Sequence, residues 1–330
     1  MQALFKTKPI FSFIALTFGI TFAFWFLPVI VSLPKDIGFA MILIGACGPL
    51  LAGLIITTVN SGAKLRIHSL PIFISVFLFS ATILVLVSIF SEKEDTPNPE
   101  EVSALGLILF LVTVFIISLN FSNARNRNLK ENYLKSAIYE KGKLKWYVFA
   151  FVLLFALSLI SYVAGKLFGL ETTEFLFKPD SAAVLSFFFT FLFVGGNEEF
   201  GWRGFLQKEL QKKYNPLTTS FVIYLAWTLW HLPLHYNGVY STGGFVDLLP
   251  RFLWLFPTTI IYTWLYNKSL YALLAVMILH AVRNNITKVM GSTPDLFYIL
   301  AFLVALYCFV DGKMWKKKDY QYIYDNNETN

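Results

Sequence analysis

The segment "FLFVGGNEEFGWRGFLQKEL" (Phe191–Leu210) ends an apolar run with two adjacent carboxylates and an arginine. Arg203 follows Glu199 by four residues, the spacing that brings two side chains together on one helix face. A charged side chain at mid-membrane costs about 2.5–3.5 kcal/mol on the insertion scale. Such residues therefore face a bundle interior or a wet cavity, and they pair. Glu199 and Arg203 fit a structural ion pair. Glu198 projects about 100° away on a 3.6-residue helix and is left to hold a water and take its proton. The bland alternative is a helix end whose charges reach into lipid headgroups.

Two further apolar segments carry polar residues at matching depth. "WTLWHLPLHY" holds His231, and the intervening "KKYNPL" breaks and restarts the chain at Asn215-Pro216. The midpoint between Glu198 and His231 falls in that turn. In an antiparallel hairpin both then lie about 16 residues, roughly 24 Å, from it. "LLAVMILHAVRNNITK" places His280 and Asn284 four apart, on one face of an otherwise apolar helix. Starting near Ser269, that helix carries His280 roughly 16 Å in. A lone buried histidine is more often a core residue than a catalyst; three apolar helices with such residues at one depth favour a site. His231 and His235 also stand four apart, as zinc-binding pairs do, but Pro233 between them distorts the turn, so His235 ranks second. Gly195, Gly196, Gly201 and Gly204 serve either close helix packing or room for an extended substrate.

The elements that must position these residues are apolar helices. Of the 330 residues, 56% are hydrophobic and 14% charged, against about a quarter charged in soluble domains. A span needs about 20 apolar residues. The chain reads as all-α, a polytopic transmembrane helical bundle of eight to ten spans. The candidates are 10–33, 37–59, 70–90, 102–122, 146–169, 181–200, 217–236, 247–266, 269–289 and 294–311. Gly48-Pro49 predicts a kink or partial re-entry in the second. The first run is too long for a signal-peptide core and reads as an uncleaved span. Cys47 and Cys308 lie in apolar runs as packing residues and build neither a disulfide framework nor a zinc site.

Residues 1–145 form an N-terminal group of spans without a motif, closed by the basic loop 123–145. Residues 146–312 form the core that carries the polar residues, and 313–330 a basic tail. Most of the 27 Lys and Arg fall in alternate loops, which places both termini in the cytoplasm and the acidic loop "SEKEDTPNPEE" outside. The net charge of +7 is spread between the apolar runs, so it speaks for topology and anionic headgroups, not for nucleic acid. The Lys-, Asn-, Ile- and Phe-rich composition points to a low-GC bacterium.

Glu198-Glu199-x-x-x-Arg203, Trp227-x-x-x-His231 and His280-x-x-x-Asn284, in that order over about 181–287, resemble the three motifs of the CPBP family. These are the CAAX-protease and bacteriocin-processing (Abi) intramembrane endopeptidases. Trp227 stands where the family usually has Phe. The resemblance implies hydrolysis of a peptide bond in a membrane-associated protein or peptide, at a site open to the cytoplasm. It makes Glu198 the general base, His231 a water-binding residue, His280 and Asn284 the oxyanion donors, and Glu199 and Arg203 structural or substrate-orienting. The family is classed with metalloproteases, and Glu198, His231 and His280 make a His₂Glu set suited to zinc. A glutamate-activated water needs no metal and is the favoured reading. A proton-coupled transporter uses the same residue types but usually shows two related halves, whereas the polar residues here cluster in one. A non-catalytic bacteriocin-immunity or scaffold protein would not depend on Glu198.

Overall fold

Long runs of Phe, Leu, Ile and Val satisfy their backbone groups in lipid only as helices or closed barrels, and this chain is helical. The protein is described here from a computed structural model covering residues 2–90, 96–126, 128–129, 133–174, 176–178 and 180–317. Parts of the acidic loop, the basic loop and the tail (91–95, 127, 130–132, 318–330) lie outside the described residues. Among the described residues there is no strand, only an isolated bridge between Phe177 and Met290.

The helices are α1 (Gln2–Thr7), α2 (Pro9–Trp25), α3 (Leu27–Ile30), α4 (Lys35–Ala46), α5 (Gly48–Ser61), α6 (Leu70–Phe90), α7 (Ala104–Ser122), α8 (Leu144–Leu167), α9 (Ser181–Leu192), α10 (Lys208–Gln211), α11 (Pro216–Trp230), α12 (Phe245–Lys268), α13 (Leu273–Val289) and α14 (Pro294–Asp311). Among the described residues seven segments are long and apolar enough to cross a membrane: α2 with α3, α6, α7, α8, α9 through α10, α12 and α14. The pair α4–α5, bent by 45° at Cys47, makes an eighth if counted as one span. Pro49 explains the bend, since its ring clashes with the preceding turn and it donates no hydrogen bond.

Two of the ten sequence-derived spans are shorter than expected. Helix α11 has 15 residues and α13 has 17. Pro233 stops α11 after Trp230, and Leu270 and Tyr271, both at positive φ, delay the start of α13. His231 caps the C-terminal end of α11, and α13 carries His280.

The molecule is apolar outside and partly polar inside. Leu78, Phe90 and Leu303 are more than half exposed, while Ser80, Thr113, Ser118, Ser158 and Ser161 are buried. An apolar exterior of that kind matches lipid as solvent. The buried core is continuous from Phe13 and Trp25 to Leu279 and Cys308, so helices on both sides of residue 145 share it. Cys47 and Cys308 are buried free thiols.

Candidate active site

The span expected as one helix over 181–200 is broken. Helix α9 ends at Leu192, a short 3₁₀ turn covers Gly196–Glu198, and a π-helix runs from Phe200 to Gln207. Glycine permits both features. A Cβ on Gly196 would stand 2.4 Å from the carbonyl oxygen of Phe191, and one on Gly201 would stand 2.3 Å from that of Pro49. The backbones of α5 and the π-helix therefore touch at Gly201, where the glycine serves close packing. Wide π turns recur at functional sites, and this one turns Arg203 fully inward.

Glu199 and Arg203 form a buried ion pair, with Nη1 3.2 and 3.0 Å from the two carboxylate oxygens. Both side chains are 0% exposed. The guanidinium also lies 4.9 Å from the ring centres of Trp227 and Tyr262. Glu199 has a second partner, His280 of α13, whose Nδ1 lies 2.7 Å from Oε1. An ionised carboxylate only accepts, so Nδ1 carries the proton in that state.

Glu198 is held from α11. The indole Nε1–H of Trp227 donates to its Oε2 at 2.9 Å. One turn later, His231 Nδ1–H donates to the Trp227 carbonyl at 2.6 Å. A carbonyl cannot donate, so this bond fixes the tautomer: in the neutral ring the Nε2 lone pair is free. Trp227 thus binds Glu198 through its side chain and His231 through its backbone, and its ring meets His280 edge-on at 5.2 Å. Glu198, His231 and His280 are all buried. Among the described residues Glu198 Oε1 and the Nε2 atoms of both histidines have no protein hydrogen-bond partner.

Asn284 is exposed. It accepts from Arg283 at 3.3 Å, and its Nδ2 would stand 3.3 Å from a Cβ on Gly195. The amide therefore faces the break before Glu198. Its neighbour Asn285 is buried and ties α13 to α9 through Ser186 and Thr190. His235 is occupied elsewhere. Arg251 Nε–H donates to its Nε2 at 3.1 Å, and its Nδ1 bonds Ser241. Tyr240 folds back over this corner, 4.1 Å beneath Arg251 and 6.1 Å from His231.

The zinc set of Glu198, His231 and His280 is not assembled. Among the described residues no group of three or more His, Cys, Asp or Glu is placed to hold a metal ion, although Glu198 Oε1 and the two Nε2 atoms are not used by other protein groups. Sequence reasoning also missed Tyr262, Arg251 and Arg283. The two arginines are single charges within apolar runs, the same signal that singled out Arg203. Tyr262 has no comparable signal, being one aromatic residue among many.

A cavity of about 360 Å³ lies at the other end of the π-helix, lined by Lys6, Asn60, Gly204, Lys208 and Lys212. It is not where the carboxylates and histidines meet.

Comparison with known proteins points to the same segment. Residues 180–286 match the model of the Rce1-like family, type II CAAX prenyl endopeptidases. The chain is 28% identical over 225 residues to CAAX prenyl protease 2 of Methanococcus maripaludis, covering 63% of this chain and 82% of that protein. Every side chain placed around Trp227 lies within 180–286, so within this multi-pass membrane bundle the segment that resembles Rce1-like endopeptidases of the CPBP family is the one that holds the buried polar cluster.

Proposed function

We propose that the protein is an intramembrane endopeptidase that cleaves a membrane-associated peptide with a water activated by Glu198. The observation that carries this reading is the double hold of Trp227 on Glu198 and His231. It leaves one carboxylate oxygen and one imidazole lone pair without protein partners, on neighbouring side chains.

Glu198 accepts a proton from the attacking water. His231 Nε2 accepts the water's other hydrogen and aims its oxygen. Attack gives a tetrahedral oxyanion, which needs donors placed in advance. Asn284 Nδ2 is suited to that task, and so is His280 once its Nε2 takes up a proton, its Nδ1–H being held by Glu199. Collapse breaks the C–N bond, and Glu198 passes its proton to the leaving amine. Glu199 and Arg203 position His280 and Trp227 and touch no reacting atom. The relative's name, CAAX prenyl protease 2, makes a substrate lipidated near its C-terminus the first class to try. Both termini are assigned to the cytoplasm from the distribution of basic loops.

The test is cleavage of membrane peptides by purified protein in liposomes, comparing wild type with Glu198→Gln. Loss of all cleavage with an unchanged melting curve is expected. Cleavage by Glu198→Gln at the wild-type rate would remove Glu198 as the base.

A further inference from the structure

The cavity of about 360 Å³ at the far end of the π-helix is lined by three lysines and a single carboxylate. Lys6 comes from the last turn of α1, and Lys208 and Lys212 come from α10 and its end. Glu209 pairs with Lys212 at 2.8 Å. Three ammonium groups against one carboxylate give the lining an excess of two positive charges. Lys208 and Lys212 are half-buried, so their charges are screened less than on an open surface. Part of the wall is apolar. Pro9 begins α2, and Phe205 of the π-helix stacks on Phe13 at 5.3 Å. Gly204, directly after Arg203, completes that side. Asn60, in the last turn of α5, also lines the cavity. The cavity therefore sits where the apolar helices end, at headgroup level, on the face assigned to the cytoplasm.

We propose that this cavity holds the headgroup phosphate of an anionic phospholipid from the surrounding membrane, and that the bound headgroup braces the π-helix. An anion relieves the repulsion among the lysines, and ammonium groups give phosphate oxygens strong, charge-assisted hydrogen bonds. Headgroup depth and the apolar wall favour an anion that brings its own hydrocarbon over a free phosphate. Lys6 and Pro9 belong to the N-terminal helices, whereas Gly204, Phe205 and Lys208 belong to the segment that carries Arg203. A headgroup bound between them ties the two together. The composition of the membrane then bears on the element that presents the buried ion pair, one turn from Glu198.

The experiment is native mass spectrometry of the full chain in a neutral detergent, titrated with phosphatidylglycerol and with phosphatidylcholine of the same acyl chains. The first phosphatidylglycerol should bind about tenfold or more tightly than the first phosphatidylcholine. Lys6→Gln and Lys208→Gln should each weaken phosphatidylglycerol by about fivefold, the worth of one lysine near an anionic surface, and leave phosphatidylcholine unchanged. Lys64→Gln/Arg66→Gln is the control: both residues are exposed beyond the end of α5, outside the cavity, and the preference should survive. If Lys208→Gln does not fold, Lys6→Gln and the cavity-filling Thr57→Trp decide, and the latter should abolish the preference. Phosphatidylglycerol should also slow amide exchange over Phe200–Gln207 more than phosphatidylcholine does. Equal affinity for the two lipids overturns the proposal, as does a preference that falls as far in Lys64→Gln/Arg66→Gln as in the cavity variants, which would mean diffuse surface charge. Displacement of the lipid by inorganic phosphate at millimolar concentration gives the site to a free anion and overturns the lipid assignment. Unchanged exchange over Phe200–Gln207 overturns the bracing. None of these readouts uses cleavage, so their failure leaves the protease reading standing, and loss of that reading leaves the lipid site standing.

Discussion

Replacing Glu199 with Gln should destabilise the protein far more than replacing Glu198 with Gln. Glu199 and Arg203 are both fully buried. Removing one partner of a buried pair costs about 3–5 kcal/mol, because the other charge stays in the interior without compensation. That is roughly a hundredfold to a few thousandfold in the folding equilibrium. The proximity of Arg203 to the rings of Trp227 and Tyr262 does not rescue it, since those contacts are present before and after the change. Among the described residues Glu198 has no cation within salt-bridge distance, and its bond from Trp227 can be accepted equally by a Gln carbonyl. Its neutralisation should therefore leave the fold intact.

The assay is a thermal melt in detergent for each variant, with peptide cleavage measured alongside. Glu199→Gln should melt well below wild type and lose activity, because a single amide oxygen without charge must then serve both His280 Nδ1 and Arg203. The double variant Glu199→Gln/Arg203→Met removes both charges and should recover at least half of the lost stability, since replacing a buried pair with apolar groups is often near neutral. The reasoning fails if Glu199→Gln melts with wild type, or if the double variant melts no higher than Glu199→Gln.

Trp227→Phe removes the donor to Glu198 but keeps an aromatic ring; kcat/KM should fall by about tenfold with little change in melting, and an unchanged rate would show that Glu198 needs no orientation from α11. His231→Phe should abolish cleavage while leaving the melt close to wild type, because its one hydrogen bond stays within its own helix turn. Gly201→Ala should lower folded yield by about 1–3 kcal/mol of overpacking, since its Cβ meets the Pro49 backbone; equal stability would mean that α5 can retreat. A reporter that is active only outside the membrane, fused after Asn330, should stay silent; a signal there would reverse the orientation drawn from the basic loops.

The sequence made much of this visible, for identifiable reasons. Polar residues in apolar runs are costly, so Glu198, Glu199, Arg203, His231 and His280 stood out; hairpin arithmetic put Glu198 and His231 at one depth, and distance along its own helix put His280 inside the bundle. Pro49 announced the bend between α4 and α5. The break after Leu192 and the π turn were not legible, because a helical spacing rule assumes the regular helix it is used to find. Gly195 and Gly196 were the available hint, and they were weighed for packing and room instead. The partners of each nitrogen and oxygen were also out of reach. That His280 turns to Glu199, while Glu198 takes the indole of Trp227, depends on side-chain directions set by contacts between α11, α13 and the π-helix. The zinc set named as an alternative turned on the same directions, since residue types alone do not say whether three side chains converge on one point.

The matched segment does not hold its own site. The π-helix that presents Arg203 is a strained form of helix and needs support from outside. Residues before 62, which carry no motif, supply it. Pro49 of α5 presses its backbone against Gly201, Phe13 packs on Trp202 and Phe205, and Thr21 accepts the indole N–H of Trp230 beside His231. Trp25 lies against the same Trp230 at 4.4 Å. These contacts fix both walls of the site, the π-helix on one side and the end of α11 on the other. The N-terminal helices are therefore a positioning scaffold for Glu198 and His231.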